Sequence, residues 1–253
     1  MIGHMSKTTV IGIERILDIF EAFEASEKPL SLTELAELTN IPKSTCHAIV
    51  GTLQSRGYLY SLTRPRALYP TRRMLDAATA ITRKDPFTER AIPVLERLRD
   101  STRETVILGK RQGDSIIYLH VIEGLNAIRY SAKAGDLKPL CSTSIGKAIL
   151  GSLKEPELRQ LLADKTLPAV TNTTITDKEM LVQDILQSRR AGFFQTRGEN
   201  VLDVWAVAAF LNVNKETLGV AVAGPAHRLQ SNLQECAHQL VATCSFLARQ
   251  LNG

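Results

Sequence analysis

The sequence predicts an α+β chain with an N-terminal winged helix-turn-helix (residues 7–70), a linker helix (71–86) and a second domain (87–253). Three observations predict it. Up to residue 59 the apolar residues recur at helical spacing in three short runs, and a tight β-prone pair follows. Beyond residue 86, strand-like runs joined by tight turns alternate in groups with helical ones, as in an antiparallel sheet flanked by helices. The charge is also unevenly distributed. Residues 1–39 carry three Lys/Arg against seven Asp/Glu, residues 40–84 eight against Asp76 alone, and the remaining 169 residues 20 against 18.

Taken in order, Val10 to Ala25 reads as a helix with Ile13, Ile16, Leu17, Phe20 and Phe23 on its apolar side. "SEKPLS" breaks it. Ser31-Leu-Thr-Glu34 is a capping box opening a short helix, Leu32 to Leu38, and "TNIP" turns into the next. In "NIPKSTCHAIVGTLQSRGYL" the residues Cys46, Ile49, Val50 and Leu53 form the stripe, Pro42 suits the first turn and Gly57 the stop. The opposite face holds Lys43, Ser44, His47, Ala48, Gly51 and Gln54 without a carboxylate. "YLYSLTRPRALYP" then reads as a hairpin around Thr63-Arg64-Pro65-Arg66, and "TRRMLDAATAITRK" as a helix with Met74, Ala78 and Ile81 on one face, ended by Asp85-Pro86.

In the second domain "FTERAIPVLERLRDST" is helical, with Ile92, Leu95 and Leu98 inward. "TVILGKR" and "SIIYLHVIEG" form a hairpin across "QGD", and "NAIRYSAKA" reads as a third strand. Three helices follow: one from Ser142 to Gly151 within "STSIGKAILGSL", then "EPELRQLLAD" and "DKEMLVQDILQSRRAG". The strands "FFQTRGEN", "VWAVAAFLNV" and "TLGVAVAGP" come next, with "NKE" turning between the last two, and Gln230 to Leu251 closes the chain as a helix.

The composition narrows the function classes. A chain of 253 residues, 44% hydrophobic, is long enough for two cores. No run of 18 or more apolar residues predicts a membrane span, and no basic-then-apolar leader is visible; "MIGHM" reads as a cloning scar. Cys46, Cys141, Cys236 and Cys244 form no CxxC pair, which predicts reduced thiols in the cytoplasm. Cys236, His238 and Cys244 sit at helical offsets that share no face, so no zinc site is expected, and His120 and His227 read as structural.

Concentrating the positive charge in residues 40–84 favours a polyanion. The helix after "TNIP" holds the second position of a helix-turn-helix, the one that enters the major groove of DNA. Lys43, Ser44 and Thr45 at its start can donate to base edges and phosphates, and Arg64 and Arg66 at the hairpin tip can reach a flanking groove. His47 and Arg72 complete the expected DNA-contacting set. In the second domain Ser144-Ile-Gly-Lys147 fits the S-x-x-K pattern of a serine nucleophile with a lysine base, so a serine hydrolase stands as the alternative reading. Its S-D-N and K-T-G companions are missing, and a P-loop would need other residues at 141 and 148.

Three segments carry a resemblance over nearly the full length. "LTELAELTNIPKSTCHAIVGTLQSRGYL" is similar to the helix-turn-helix of the IclR family of bacterial transcriptional regulators. "GDLKPLCSTSIGKAIL" resembles that family's Gly-x-x-x-Pro-Leu-His-x-Ser/Thr-Ala-x-Gly-Lys-Ala pattern, and "AGFFQTRGENVLDVWAVAA" with "TLGVAVAGP" resembles its closing strands. The resemblance implies a GAF-like second domain that binds a small effector, often an organic acid, carbonyl or aromatic metabolite. It also implies a homodimer or dimer of dimers on a palindromic operator, with no catalysis and no cofactor. Effector contacts carried over by position fall on Cys141, Ser142, Thr143, Ser144, Ile145 and Gly146, then on Thr196, Glu199, Asp203, Ala206, Ala221 and Ala223. The chain departs from the family at several of these places. His47 stands for a usual arginine, Cys141 for histidine, Thr196 for a frequent acid, Asp203 for glycine and Phe210 for a common proline. Ala206, Ala221 and Ala223 stand where Cys or Ser is frequent, so the expected effector has one anionic or carbonyl end and a largely apolar remainder.

Overall fold

The computed structural model describes residues 10–64, 66–82 and 86–252. The chain divides into two compact units, Met1–Asp85 and Pro86–Gly253. The opening "MIGHM", Pro65, and Arg83, Lys84 and Asp85 at the expected end of the linker helix lie outside the described residues.

The first unit runs α1 (Ile11–Ala25), α2 (Leu32–Leu38), α3 (Lys43–Ser55), β1 (Leu59–Thr63), β2 (Arg66–Pro70) and α4 (Arg73–Thr82). Its core is built from Ile19, Phe23, Leu30, Leu35, Ile41, Cys46, Val50, Leu53, Leu59 and Leu68. The inward face of α1 differs from the expected one. Ile19 is fully buried, whereas Ile13 and Leu17 are 58% and 54% exposed. Ile19 and Phe23, four residues apart, set the stripe, and Ile16 and Phe20 flank it half-buried. The capping box forms as expected: Ser31 Oγ accepts from the Glu34 amide at 3.2 Å and Glu34 Oε2 accepts from the Ser31 amide at 2.8 Å.

Pro42 is the N-cap of α3, one position before the first turn expected for it, and makes no side-chain cap. Gly57, at φ +73°, ends the helix in the left-handed conformation that glycine adopts freely. The hairpin pairs Thr63 with Arg66 across its two-residue tip. Leu30 bonds Leu68 in both directions, tying the α1–α2 connection to the hairpin. Helix α4 shows Met74, Leu75 and Ile81 at 42%, 56% and 72% exposure.

The second unit runs α5 (Pro86–Thr102), β3 (Thr105–Gln112), β4 (Ser115–Ile122), β5 (Leu137–Pro139), α6 (Ser144–Gly151), α7 (Glu155–Ala163) and α8 (Lys178–Ala191). It continues with β6 (Phe194–Arg197), β7 (Val204–Val213), β8 (Glu216–Pro225) and α9 (Ala226–Asn252). Among the described residues the sheet has six strands in the order β5-β4-β3-β8-β7-β6, each pair antiparallel. Alternation along the strands separates two cores. Val106, Leu108, Val207, Val220 and Val222 face α5 and α9. Ile107, Ala206, Ala208, Ala221 and Ala223 face α6, α7 and α8. Small residues on that second face let α6 approach closely: a Cβ on Gly219 would stand 2.6 Å from Ile145 Cγ2.

Two expectations are corrected here. Residues 126–134 form no strand; the edge of β4 away from β3 is paired by β5, three residues of the following segment. Side chains claim the backbone and flanks of the expected strand instead. Thr105 Oγ1 donates to the Tyr130 carbonyl, while Arg129 and Ser131 donate to the Glu123 carboxylate. Helix α6 begins at Ser144 with Thr143 as its cap, so Ser142 precedes the helix.

Candidate functional sites

In the first unit three of the seven residues expected to contact DNA, Lys43, His47 and Arg66, line one groove, and Ser44, Thr45, Arg64 and Arg72 lie outside it. Lys43, Ser44 and His47 are exposed on α3, with Thr45 half-buried, and Arg64, Arg66 and Arg72 are exposed. Lys43, His47, Gly51 and Gln54 of α3 share a groove of about 510 Å³ with Ser61 and Arg66 of the hairpin. Gln54 Nε2 donates to Ser61 Oγ at 2.6 Å, fixing the hairpin against the helix. The first turn of α3 has neither a side-chain cap nor an acidic residue, so its amides and the positive end of its dipole stay open to an anion. Arg72 differs from the others in pairing with Asp76 at 3.2 Å.

The second unit contains a small cavity of about 30 Å³, room for little more than a water molecule or two. Its wall includes seven of the twelve residues expected from the sequence: Thr143, Ser144, Ile145, Thr196, Ala206, Ala221 and Ala223. The start of α6 supplies the first three, β6 supplies Thr196, and the paired strands β7 and β8 supply the alanines, with Ala206 opposite Ala223. Thr143 caps α6 through Oγ1, which accepts from the Gly146 amide at 3.1 Å.

The other five expected residues lie outside the wall. Gly146 is a packing glycine: a Cβ there would lie 1.7 Å from the Leu140 carbonyl oxygen. Asp203 is exposed, and its carbonyl accepts from the Ala226 amide. Cys141 is half-buried, and burial pushes its thiol up to about 11, so it holds little thiolate at neutral pH. Ser142 is buried with no hydrogen-bond partner for its hydroxyl among the described residues. Glu199 bonds Lys147.

Ile107, Tyr118, Tyr130, Asn200, Val201 and Val204 complete the wall and were missed. Period-two alternation could have found Ile107 and Tyr118, which share the inward face of adjacent strands. Tyr130 lies in the segment misread as a strand, and Asn200 and Val201 lie in a loop without periodicity. Burial pushes the Tyr118 phenol far above its usual range, and Tyr130, charge and hydrogen bond together, adds to it. The polar side chains of the wall are the hydroxyls of Thr143, Ser144 and Thr196, the phenols of Tyr118 and Tyr130 and the amide of Asn200.

Nothing in the geometry supports the S-x-x-K reading. The Lys147 ammonium is fully buried, donates to Glu199 Oε1 at 2.7 Å, and lies 2.8 Å from Asp184 Oδ2. The Lys147 amine is committed to two carboxylates and not to Ser144. Burial pushes the Glu199 carboxyl above the usual carboxylate range, outweighing the lysine that pulls it down. Among the described residues no helix is long and apolar enough to cross a membrane.

Comparison with known proteins matches both units. Residues 12–62 match the model "IclR helix-turn-helix domain" and residues 79–249 match "Bacterial transcriptional regulator IclR C-terminal". The chain is 31% identical to the HTH-type transcriptional regulator BhcR of Paracoccus denitrificans (strain Pd 1222) over 220 residues, 86% of this chain and 78% of that one. It is 25% identical to the HTH-type transcriptional regulator KdgR of Escherichia coli (strain K12) over 246 residues, 96% and 92% of the two chains. The fold is similar to that of the Thermotoga maritima IclR, with a TM-score of 0.82 at 22% identity over 97% and 100% of the chains. It is also similar to an IclR homolog from Microbacterium hydrocarbonoxydans complexed with 4-hydroxybenzoate, with a TM-score of 0.75 at 20% identity over 95% and 98%. With a helix-turn-helix whose outward face is cationic and a second domain of the matching fold, this chain belongs to the IclR family of bacterial transcriptional regulators, which bind DNA under the control of a small-molecule effector.

Proposed function

We propose that the protein is a repressor without catalytic activity that reads a palindromic operator as a homodimer or dimer of dimers. Lys43, Ser44, Thr45, His47, Arg64, Arg66 and Arg72 contact the duplex. The observation that carries this is the groove where Lys43, His47 and Arg66 meet beside the uncapped start of α3. Phosphate contacts from the arginines position the unit, and Ser44 or Lys43 reads base edges. The effector lodges between the start of α6 and the β6–β8 strands and shifts the population of two arrangements of the paired reading heads. A wall of neutral hydrogen-bond donors and methyl groups supports a compact acid or carbonyl compound with an apolar remainder.

The test is binding to a duplex selected from a random pool, followed by fluorescence anisotropy against salt concentration. A log–log slope set by the number of phosphate contacts is expected. Release of that duplex by one member of a panel of small carboxylic acids and aldehydes identifies the effector. Binding that does not respond to salt, or no preference for a palindrome, refutes the reading.

A further inference from the structure

The cavity is bounded on one side by the six-residue loop Gly198–Asp203, which contributes Asn200 and Val201. The loop closes at its base through the Gly198 amide, which donates to the Val204 carbonyl at 3.0 Å, and the Val204 amide donates to Val201. It is also tied down from outside. Thr171 and Thr174 hydroxyls donate to the Gly198 and Glu199 carbonyls, both at 2.7 Å. The third tie is the side chain of Glu199 on Lys147, three residues along α6 from Ser144, which lines the cavity.

The electrostatics of that third tie are unbalanced. Lys147 comes from α6, Asp184 from α8 and Glu199 from the loop; the amide of Arg197 in β6 also bonds the glutamate. One ammonium faces two carboxylates, a net charge of −1 with Lys147 fully buried and Glu199 nearly so. Asp184, at 32% exposure, already neutralises the lysine. Glu199 Oε2 is buried with no hydrogen-bond donor among the described residues, whereas Asp184 Oδ2 has the Lys147 ammonium at 2.8 Å. A proton on Glu199 Oε2 would remove the surplus charge and turn an orphaned buried acceptor into a donor. Lifting the loop would instead return Glu199 to water as an ordinary carboxylate and leave Lys147 paired with Asp184.

We propose that closure of the Gly198–Asp203 loop over the cavity is coupled to uptake of one proton by the Lys147–Glu199–Asp184 cluster. The sign agrees with the upward shift of Glu199: a group raised in the closed state favours that state below its ordinary range and loses the advantage as pH rises through the raised value. Effector capture and proton capture are then the same event, which rests on reading this cavity as the effector site.

The experiment is amide hydrogen exchange of the full-length protein across pH 5 to 8, with Gly198 and Val204 amides as reporters and rates corrected for intrinsic exchange. Their protection should fall as pH rises, by at most about tenfold per unit for one proton. Glu199→Gln should raise protection at neutral pH and flatten its pH dependence. Asp184→Asn, which makes Glu199 the only counterion of Lys147, should move the transition to lower pH. A parent protein whose protection does not change with pH overturns the proposal without recourse to any variant. So does a Glu199→Gln protein that is less protected than the parent at pH 7.5, since that would mean that the ionised pair holds the loop. No ligand enters the measurement, so a clasp that responds to pH in a protein whose cavity binds no tested acid would refute the effector reading alone.

Discussion

The two arginines at the hairpin tip and the serine at the start of α3 should be separable by their effects. Arg66 is exposed on a groove wall, where it would meet phosphate. Arg66→Ala should weaken binding to all duplexes alike and lower the salt slope by about one. Ser44→Ala should instead relax a single operator position, by about 1–3 kcal/mol if it reads a base. In the second unit, Ala221 and Ala223 present methyl groups to the cavity at 2% exposure each. Ala221→Ser and Ala223→Ser should shift preference towards a hydroxylated acid, read as thermal shifts against a matched pair of acids with and without the hydroxyl. An unchanged preference places the pocket elsewhere. Gly146→Ala belongs to another class. Its Cβ would overlap the Leu140 carbonyl, so a loss of about 3 kcal/mol or more in a denaturant titration is expected.

At the scale of the element, the capping box of α2 gives the sharpest expectations. Ser31→Ala should cost about 1 kcal/mol in the first unit. The Lys28 ammonium, then the Ser31 amide, hold the Glu34 carboxyl down to about 2. A depressed carboxylate contributes stability that is present above its ordinary range and lost as pH falls through the folded value. Acid melting of the parent should therefore steepen from about pH 4.5 down to about 2, and Glu34→Gln should lose that part of the slope.

These elements were the legible ones, because a cap, a stripe and a stop are local signals. The stretch 126–134 was not. Its alternation resembles that of a strand, but Thr105, 25 residues away in sequence, takes the Tyr130 carbonyl. The inward face of α1 was half legible: Ile13 and Leu17 sit at helical spacing from Phe20, and only the packing partners decide that Ile19 is the centre. The alanines of the cavity came from the family resemblance and not from a local signal, and Asn200 and Val201 were missed because residues 198–203 follow no period. The ion cluster was invisible for another reason. Lys147 reads as part of an S-x-x-K pair until Asp184 and Glu199, 37 and 52 residues further along, are folded against it.

At the scale of the whole molecule, the charge is divided by function. The cationic stretch 40–84 includes the reading face and α4, while the second unit is close to neutral. One reading helix makes few contacts, and two related by a two-fold axis reach successive major grooves. Helix α4 keeps Met74, Leu75 and Ile81 exposed, a stripe suited to a second copy. Light scattering should show a dimer or tetramer at micromolar concentration, and Ile81→Asp should weaken the assembly and, with it, operator affinity. A strictly monomeric parent would contradict this.

The sheet of the second unit also constrains how such a regulator changes its taste. Where β7 and β8 face α6 they present Ala206, Ala208, Gly219, Ala221 and Ala223, already close to the smallest residues available. Apart from replacement by glycine, any substitution of these alanines adds atoms and shrinks the cavity. A wider specificity is won more readily at Tyr118 of β4, at Tyr130 and in the Asn200–Val201 loop, where there is bulk to lose. Two directions of evolutionary drift are thus assigned to two different parts of the same wall: exclusion is written in the alanines of β7 and β8, and permissiveness in the bulky side chains around them.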